Sequence, residues 1–195
     1  MTIGLYVSWL YNGPMEQIIL LTGPRGIGKT TACQDLAIAA RSKGLSLGGV
    51  IAPACYDGEG RKIGSDIIAL ANDQRKHLAV IDRANPHGRT IGSYRFDENV
   101  LAWAQEQVIS DLRSPLDMVI IDEIGRLEML QNKGFAAALD ILSHADTRQA
   151  LLVVRQSVLT WTQDRLRDVA TTTIHMNEAN RHLTVSMILD TSLFA

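Results

Sequence analysis

The chain has 195 residues, 46% of them hydrophobic and 21% charged, with a formal net charge of −2. These proportions belong to a folded globular chain rather than a disordered one, and the lack of a basic excess argues against a dedicated nucleic-acid binder. Two cysteines, Cys33 and Cys55, are too few for a disulfide framework or a cysteine zinc site, and no apolar run approaches the ~18 residues of a membrane span.

Reduced thiols and the absence of a lipidation signal make the cytoplasm the expected location. The five histidines, His77, His87, His144, His175 and His182, show no ligand spacing such as HxxxH and read as packing or polar residues.

Met1 to Pro14 (MTIGLYVSWLYNGP) has no positive leader region and no small-residue cleavage site. Met15 opens MEQIILLTG, a natural start, so the stretch 1–14 is expected to be an extension and 15–195 a single domain. Gln17 to Thr22 is a continuous apolar run suited to a strand buried on both faces. Lys29 to Lys43 reads as a helix ended by Gly44. Leu47 to Ala54 and Arg61 to Leu70 flank the turn Asp57-Gly58-Glu59-Gly60 and predict a β-hairpin. His77 to Asp82 and Ile91 to Phe96 are further strands, with a Pro86-His87-Gly88 loop between them.

Asp97 is the N-cap of a helix running to Leu112, with Val100, Leu101, Ala104, Val108 and Leu112 on one side. Met118 to Ile121 and Leu151 to Val154 are buried strands. Phe135 to Leu142 and Val158 to Val169 are helices, Thr171 to Met176 is a strand, and Asn177 to Leu189 is a helix or a helix–strand mixture. Alternating strands and helices give an α/β layered fold around a mostly parallel central sheet, with an inserted hairpin.

Gly23-Pro24-Arg25-Gly26-Ile27-Gly28-Lys29-Thr30 matches GxxxxGK[ST] at every fixed position, after a strand and at the start of a helix. Glycines let the backbone turn tightly and approach an anion. Successive N–H groups and the helix N-terminus then supply positive potential. Lys29 offers a mobile charge to the β/γ-phosphates, and the Thr30 hydroxyl a ligand for Mg²⁺. Thr31 is a second phosphate contact in this reading. Arg25 either reaches phosphate or is a solvated loop residue.

Met118 to Glu123 delivers two carboxylates to the C-terminal edge of a strand, where ligands lie in open α/β sheets. Asp122 is placed to hold Mg²⁺ opposite Thr30, and Glu123 to polarise an attacking water. Arg126 and Arg155 are the candidates for a cation meeting the γ-phosphate.

Asp122-Glu123-Ile124-Gly125-Arg126-Leu127-Glu128 resembles the DEIGxxE signature of the THEP1-type nucleoside-triphosphatases. Gly48-Gly49-Val50-Ile51 with the following turn and Arg61 to Asp66 is similar to that family's hairpin segment, and Ile91 to Tyr94 to a further stretch. Cys55-Tyr56 departs from the family, standing where a charged pair is usual, and Val50 replaces an aromatic. The resemblance implies a RecA-like, three-layer P-loop fold and Mg²⁺-dependent splitting of nucleoside triphosphates to diphosphate and phosphate with broad base tolerance. Carried over by position, it assigns Gly23 to Thr30 to phosphate, Asp122 to the metal and Glu123 to the catalytic base. Glu128 matches the last carboxylate of the signature, which assigns it no role; ordering the loop through Arg126 or Lys133 is one option.

Two other readings share the phosphate loop. A nucleoside or nucleotide kinase would need an arginine-rich lid, for which Arg83, Arg89 and Arg95 are loosely spaced candidates. A nucleotide-dependent switch would need an element reordered by the γ-phosphate, and Ile124 to Gly134 is the natural segment. No membrane or nucleic-acid partner is expected. Protein partners are not legible, and a monomer is the simplest expectation.

Overall fold

A computed structural model describes residues 15–81 and 94–191. The Met1–Pro14 extension, Arg83, Arg89, the Pro86–Gly88 loop and Ile91 to Ser93 lie outside the described residues.

Among the described residues the sheet has nine strands: β1 (Gln17–Thr22), β2 (Leu47–Ile51), β3 (Ala54–Tyr56), β4 (Lys62–Ala69), β5 (Arg75–Ile81), β6 (Tyr94–Phe96), β7 (Met118–Ile124), β8 (Gln149–Val154) and β9 (Thr171–His175). Their order is β6-β5-β4-β2-β7-β8-β1-β9, with β3 beside β4. From β2 to β9 all neighbours are parallel. From β2 outward through β4, β5 and β6 they are antiparallel.

The apolar runs are continuous because alternate residues enter different cores. Ile18 and Leu20 of β1, Val119 and Ile121 of β7, and Leu152 and Val154 of β8 face one buried cluster. Ile19 and Leu21, Met118 and Ile120, and Leu151 and Val153 face the other. The first core is closed by α2 (Glu98–Leu112) and α4 (Ala136–Ile141), the second by α1 (Lys29–Ser42) and α6 (Thr184–Thr191). Helix α1 buries Ala32, Cys33, Leu36, Ala37 and Ala40, a stripe at helical spacing. Asp97 caps α2 as expected, its Oδ1 accepting from the N–H groups of Asn99 (2.9 Å) and Val100 (3.1 Å).

Several boundaries differ from the sequence reading. The stretch Leu47 to Ala54 is two strands, because β2 stops before Pro53, which has no N–H for the ladder. The expected hairpin is β3 and β4, and β5 and β6 extend it into an antiparallel wing. Its turn is closed by Asp57, whose Oδ1 accepts from the backbone of Glu59 (3.0 Å) and Arg61 (2.9 Å). Ile124 to Gly134 contains a short helix, α3 (Arg126–Gln131), where no helix was expected. Helices α5 (Leu159–Arg165) and α6 are shorter than their apolar patterns. Among the described residues no helix is long and apolar enough to cross a membrane.

Candidate active site

The phosphate loop joins the C-terminal end of β1 to the N-terminus of α1. Gly23 has φ +155°, and a Cβ there would collide with the backbone carbonyl of Met176 just beyond β9. Only glycine lets the loop pass that strand end. Gly28 is the N-cap of α1 in a left-handed conformation, and its carbonyl accepts from the N–H of Ala32 at 2.8 Å.

Lys29 is the first residue of α1 and is only 9% exposed. Its Nζ donates to the carbonyls of Gly23 (2.9 Å) and Pro24 (3.0 Å). Burial lowers its pKa, while the nearby Glu123 and Asp122 carboxylates oppose that shift. An ammonium has three protons to donate, so one remains for a ligand at the loop.

The acidic pair ends β7, separated from β1 by β8. Asp122 is 3% exposed and accepts from the Ala52 N–H at 3.1 Å, where β2 ends. Burial pushes its pKa up to about 6; the Ala52 N–H and the Thr30 hydroxyl, both hydrogen-bonded to it, pull the other way, Glu123 adds to the rise and Lys29 opposes it. Thr30 and Asp122 thus stand in contact, two oxygen donors of the kind a hard divalent cation takes. The β7 register shifts between Asp122 and Ile124. Glu123 is half-buried and accepts from Arg155 Nε at 2.8 Å.

The remaining sequence candidates divide. Arg155, at the end of β8, stands beside Glu123. Arg126 is exposed at the start of α3. Arg25 Nη2 donates to the Tyr94 hydroxyl at 3.1 Å, which ties the loop to β6. Gly26 and Ile27 complete the loop and Thr31 lies exposed on α1.

Glu128 is a correction. It does not act through Arg126 or Lys133; its carboxylate accepts from the backbone N–H groups of Gly125 (2.7 Å) and Phe135 (3.2 Å), while Lys133 pairs with Glu98. It is the third residue of α3 reaching back to the helix start, a pattern that an acidic residue three places after a non-helical glycine could have signalled.

Comparison with known proteins decides the family. The model of the family described as NTPase matches residues 18–189. The nucleoside-triphosphatase THEP1 of Methanopyrus kandleri is 33% identical over 73% of this chain and 75% of its own length. The chain belongs to the THEP1 nucleoside-triphosphatase family. The THEP1 relative from Thermococcus kodakarensis is 30% identical over 88% of this chain and 92% of its own length. Two solved structures share the fold. A human cancer-related nucleoside triphosphatase aligns over 92% of this chain and 98% of its own, with TM-score 0.72 at 23% identity. THEP1 from the hyperthermophile Aquifex aeolicus aligns over 90% and 99%, with TM-score 0.62 at 21% identity. The α/β architecture with its parallel central strands is that of the THEP1 P-loop enzymes, and membership makes this chain an NTPase, a hydrolase.

Proposed function

We propose that the enzyme hydrolyses nucleoside 5′-triphosphates, ATP and GTP among them, to the diphosphate and phosphate with Mg²⁺ as cofactor. The observation that carries this reading is the convergence of Lys29, Thr30, Asp122 and Glu123 at the carboxyl ends of β1 and β7, the edge where open α/β sheets bind ligands.

In this reading the backbone of Gly23 to Thr30 cradles the polyphosphate, with Thr31 at the edge of the cradle, and the free proton of the Lys29 ammonium meets a phosphate oxygen. Thr30 and Asp122 hold Mg²⁺. The fit is chemical: both offer oxygen, and burial makes the charged form of Asp122 unfavourable until a cation faces it. When bound, the ion supplies neutralisation of phosphate charge. Glu123 accepts a proton from the attacking water, whose oxygen bonds to the γ-phosphorus as the β–γ bridging bond breaks. A carboxylate has about four acceptor sites, so Glu123 receives a water's hydrogen while it holds Arg155. The Arg155 guanidinium faces the same space and is the better placed of the two candidate arginines to meet charge on the transferred phosphoryl group.

The test is phosphate release from each nucleoside triphosphate with Mg²⁺, with and without candidate acceptors. Release without an acceptor is expected. Strict acceptor dependence identifies a kinase instead, and tight binding with negligible release a switch. Glu123→Gln should keep nucleotide affinity and lower turnover by ~10²–10⁴. Unchanged turnover removes Glu123 from the base role.

A further inference from the structure

Outside the phosphate site, the antiparallel wing brings together three chemically different metal ligands. Cys55 comes from β3, Asp66 from β4 and His77 from β5, and their Sγ, carboxylate oxygen and ring nitrogen all lie within 4.8 Å of one another. None of these strands carries a residue of the phosphate loop or of the acidic strand end.

Local sheet geometry builds the cluster. Ser65 pairs with Ala79, so regular pairing would set Asp66 against Leu78. A bulge sets it against His77 instead, leaving Leu78 in the core and turning the imidazole onto the face of Asp66. Cys55 pairs with Gly64, two residues before Asp66 and therefore on the same face. Gly64 carries no side chain between them; a Cβ there would collide with the Ala79 carbonyl and stand 3.4 Å from His77 Cε1. The imidazole thus rests over the gap between Cys55 and Asp66.

Asp66 is the hub. Its Oδ1 meets His77 Nδ1 at 2.8 Å, its carboxylate takes a hydrogen bond from the Cys55 thiol, and its Oδ2 is held by Arg75 Nε. Protons on Cys55 and His77 therefore occupy the directions in which a cation would bind. The Arg75 contact fixes the carboxylate from behind, as outer partners of metal ligands do.

We propose that Cys55, Asp66 and His77 form a binding site for a borderline-soft divalent cation, Zn²⁺ foremost, with a fourth position open to water. Thiolate, imidazole and carboxylate are the zinc donor set. Tetrahedral bonds of ~2.0–2.3 Å hold ligand atoms roughly 3.3–3.8 Å apart, within reach of this cluster by side-chain rotation. Binding releases the thiol proton and any proton shared by His77 Nδ1 and Asp66. Thiolate and carboxylate then balance the two charges of the ion, and no electron is transferred. A thiol must lose its proton to ligate, so affinity rises with pH.

The experiment is a Co²⁺ titration of the full-length, chelator-stripped protein in excess Mg²⁺. One equivalent should give a thiolate-to-cobalt charge-transfer band with the d–d intensity of four-coordination, discharged by Zn²⁺. Cys55→Ser and His77→Ala should abolish the band or weaken binding at least ~100-fold, and Cys33→Ser should preserve it. On the wild type alone, Zn²⁺ should slow alkylation of Cys55. Absence of the band from the wild type, its survival in Cys55→Ser, or alkylation indifferent to Zn²⁺ would each overturn the site.

Discussion

Arg155 and Glu123 lock the ends of two adjacent strands together. The Arg155 side chain donates to Glu123 Oε2 at 2.8 Å, and its backbone N–H donates to the carbonyl of Ile124 at 3.0 Å. The aliphatic part of Arg155 also lies against Gly125, where a Cβ would sit 3.2–3.3 Å from its Nε and Cδ. The general-base role proposed for Glu123 requires such a fixed orientation.

Arg155→Ala should therefore act on turnover rather than on the fold. The pair is partly exposed, 46% and 28%, so its loss costs at most ~1 kcal/mol of stability. We expect kcat to fall by ~10–10³ with KM changed less than ~10-fold, since the proposed mechanism uses Arg155 both to orient Glu123 and to meet charge on the transferred phosphoryl group. Unchanged kcat in steady-state phosphate release would relegate Arg155 to a surface ion pair.

Lys29→Met separates binding from folding. The ammonium is buried at a cost that lowers its pKa, and an unbranched apolar side chain removes that cost. The exposed Pro24 carbonyl turns to water, and the cost of leaving the buried Gly23 carbonyl without its donor is offset by the desolvation that the ammonium no longer pays. Calorimetry should show nucleotide affinity reduced at least ~100-fold, while thermal unfolding stays level or rises. A collapse of both together would mean that the lysine is needed to shape the loop itself.

Glu128 and Gly134 make a coupled pair behind the acidic strand end. Glu128 is 3% exposed and accepts from two backbone N–H groups. Gly134 has φ +61°, and a Cβ there would fall on Glu128 Oε1. Glu128→Ala strands both donors, at about 1–3 kcal/mol each, which lowers Tm by roughly 4–24 °C in a chain this size. Gly134→Ala destabilises through the clash as well as its backbone angle. In a double-mutant cycle, Gly134→Ala should cost less once Glu128 is alanine. Strict additivity would refute the steric coupling.

What the sequence could reveal depended on whether the signal was local. The runs in β1, β7 and β8 were legible because two cores make every residue apolar, and the phosphate loop because its residues are contiguous. Helix α3 was missed because RLEMLQ is short and gains its start from Glu128 turning back on Gly125. The Arg155–Glu123 pair spans 32 positions and needs the adjacency of β7 and β8. The spacing of Cys55 and His77 signals no metal site and Asp66 carries no signal of its own, because a bulge in one strand pair and the register of another bring the three together.

Asp111 gives a pH test away from the catalytic residues. Its carboxylate accepts from the Gly49 N–H at 2.7 Å and is 8% exposed. Burial raises its pKa above the ordinary 3.8, and the Gly49 N–H opposes the shift without cancelling it. The folded chain therefore binds this proton more tightly than the unfolded chain does. The stabilisation it contributes is full below the ordinary value and is lost as pH climbs through the raised one. Asp111→Asn keeps an oxygen for Gly49 and abolishes the titration. Urea unfolding between about pH 4 and about pH 7 should show the variant gaining on the wild type as pH rises. Parallel stability curves would mean that Asp111 keeps its solution pKa in the fold, its burial being offset by the Gly49 hydrogen bond.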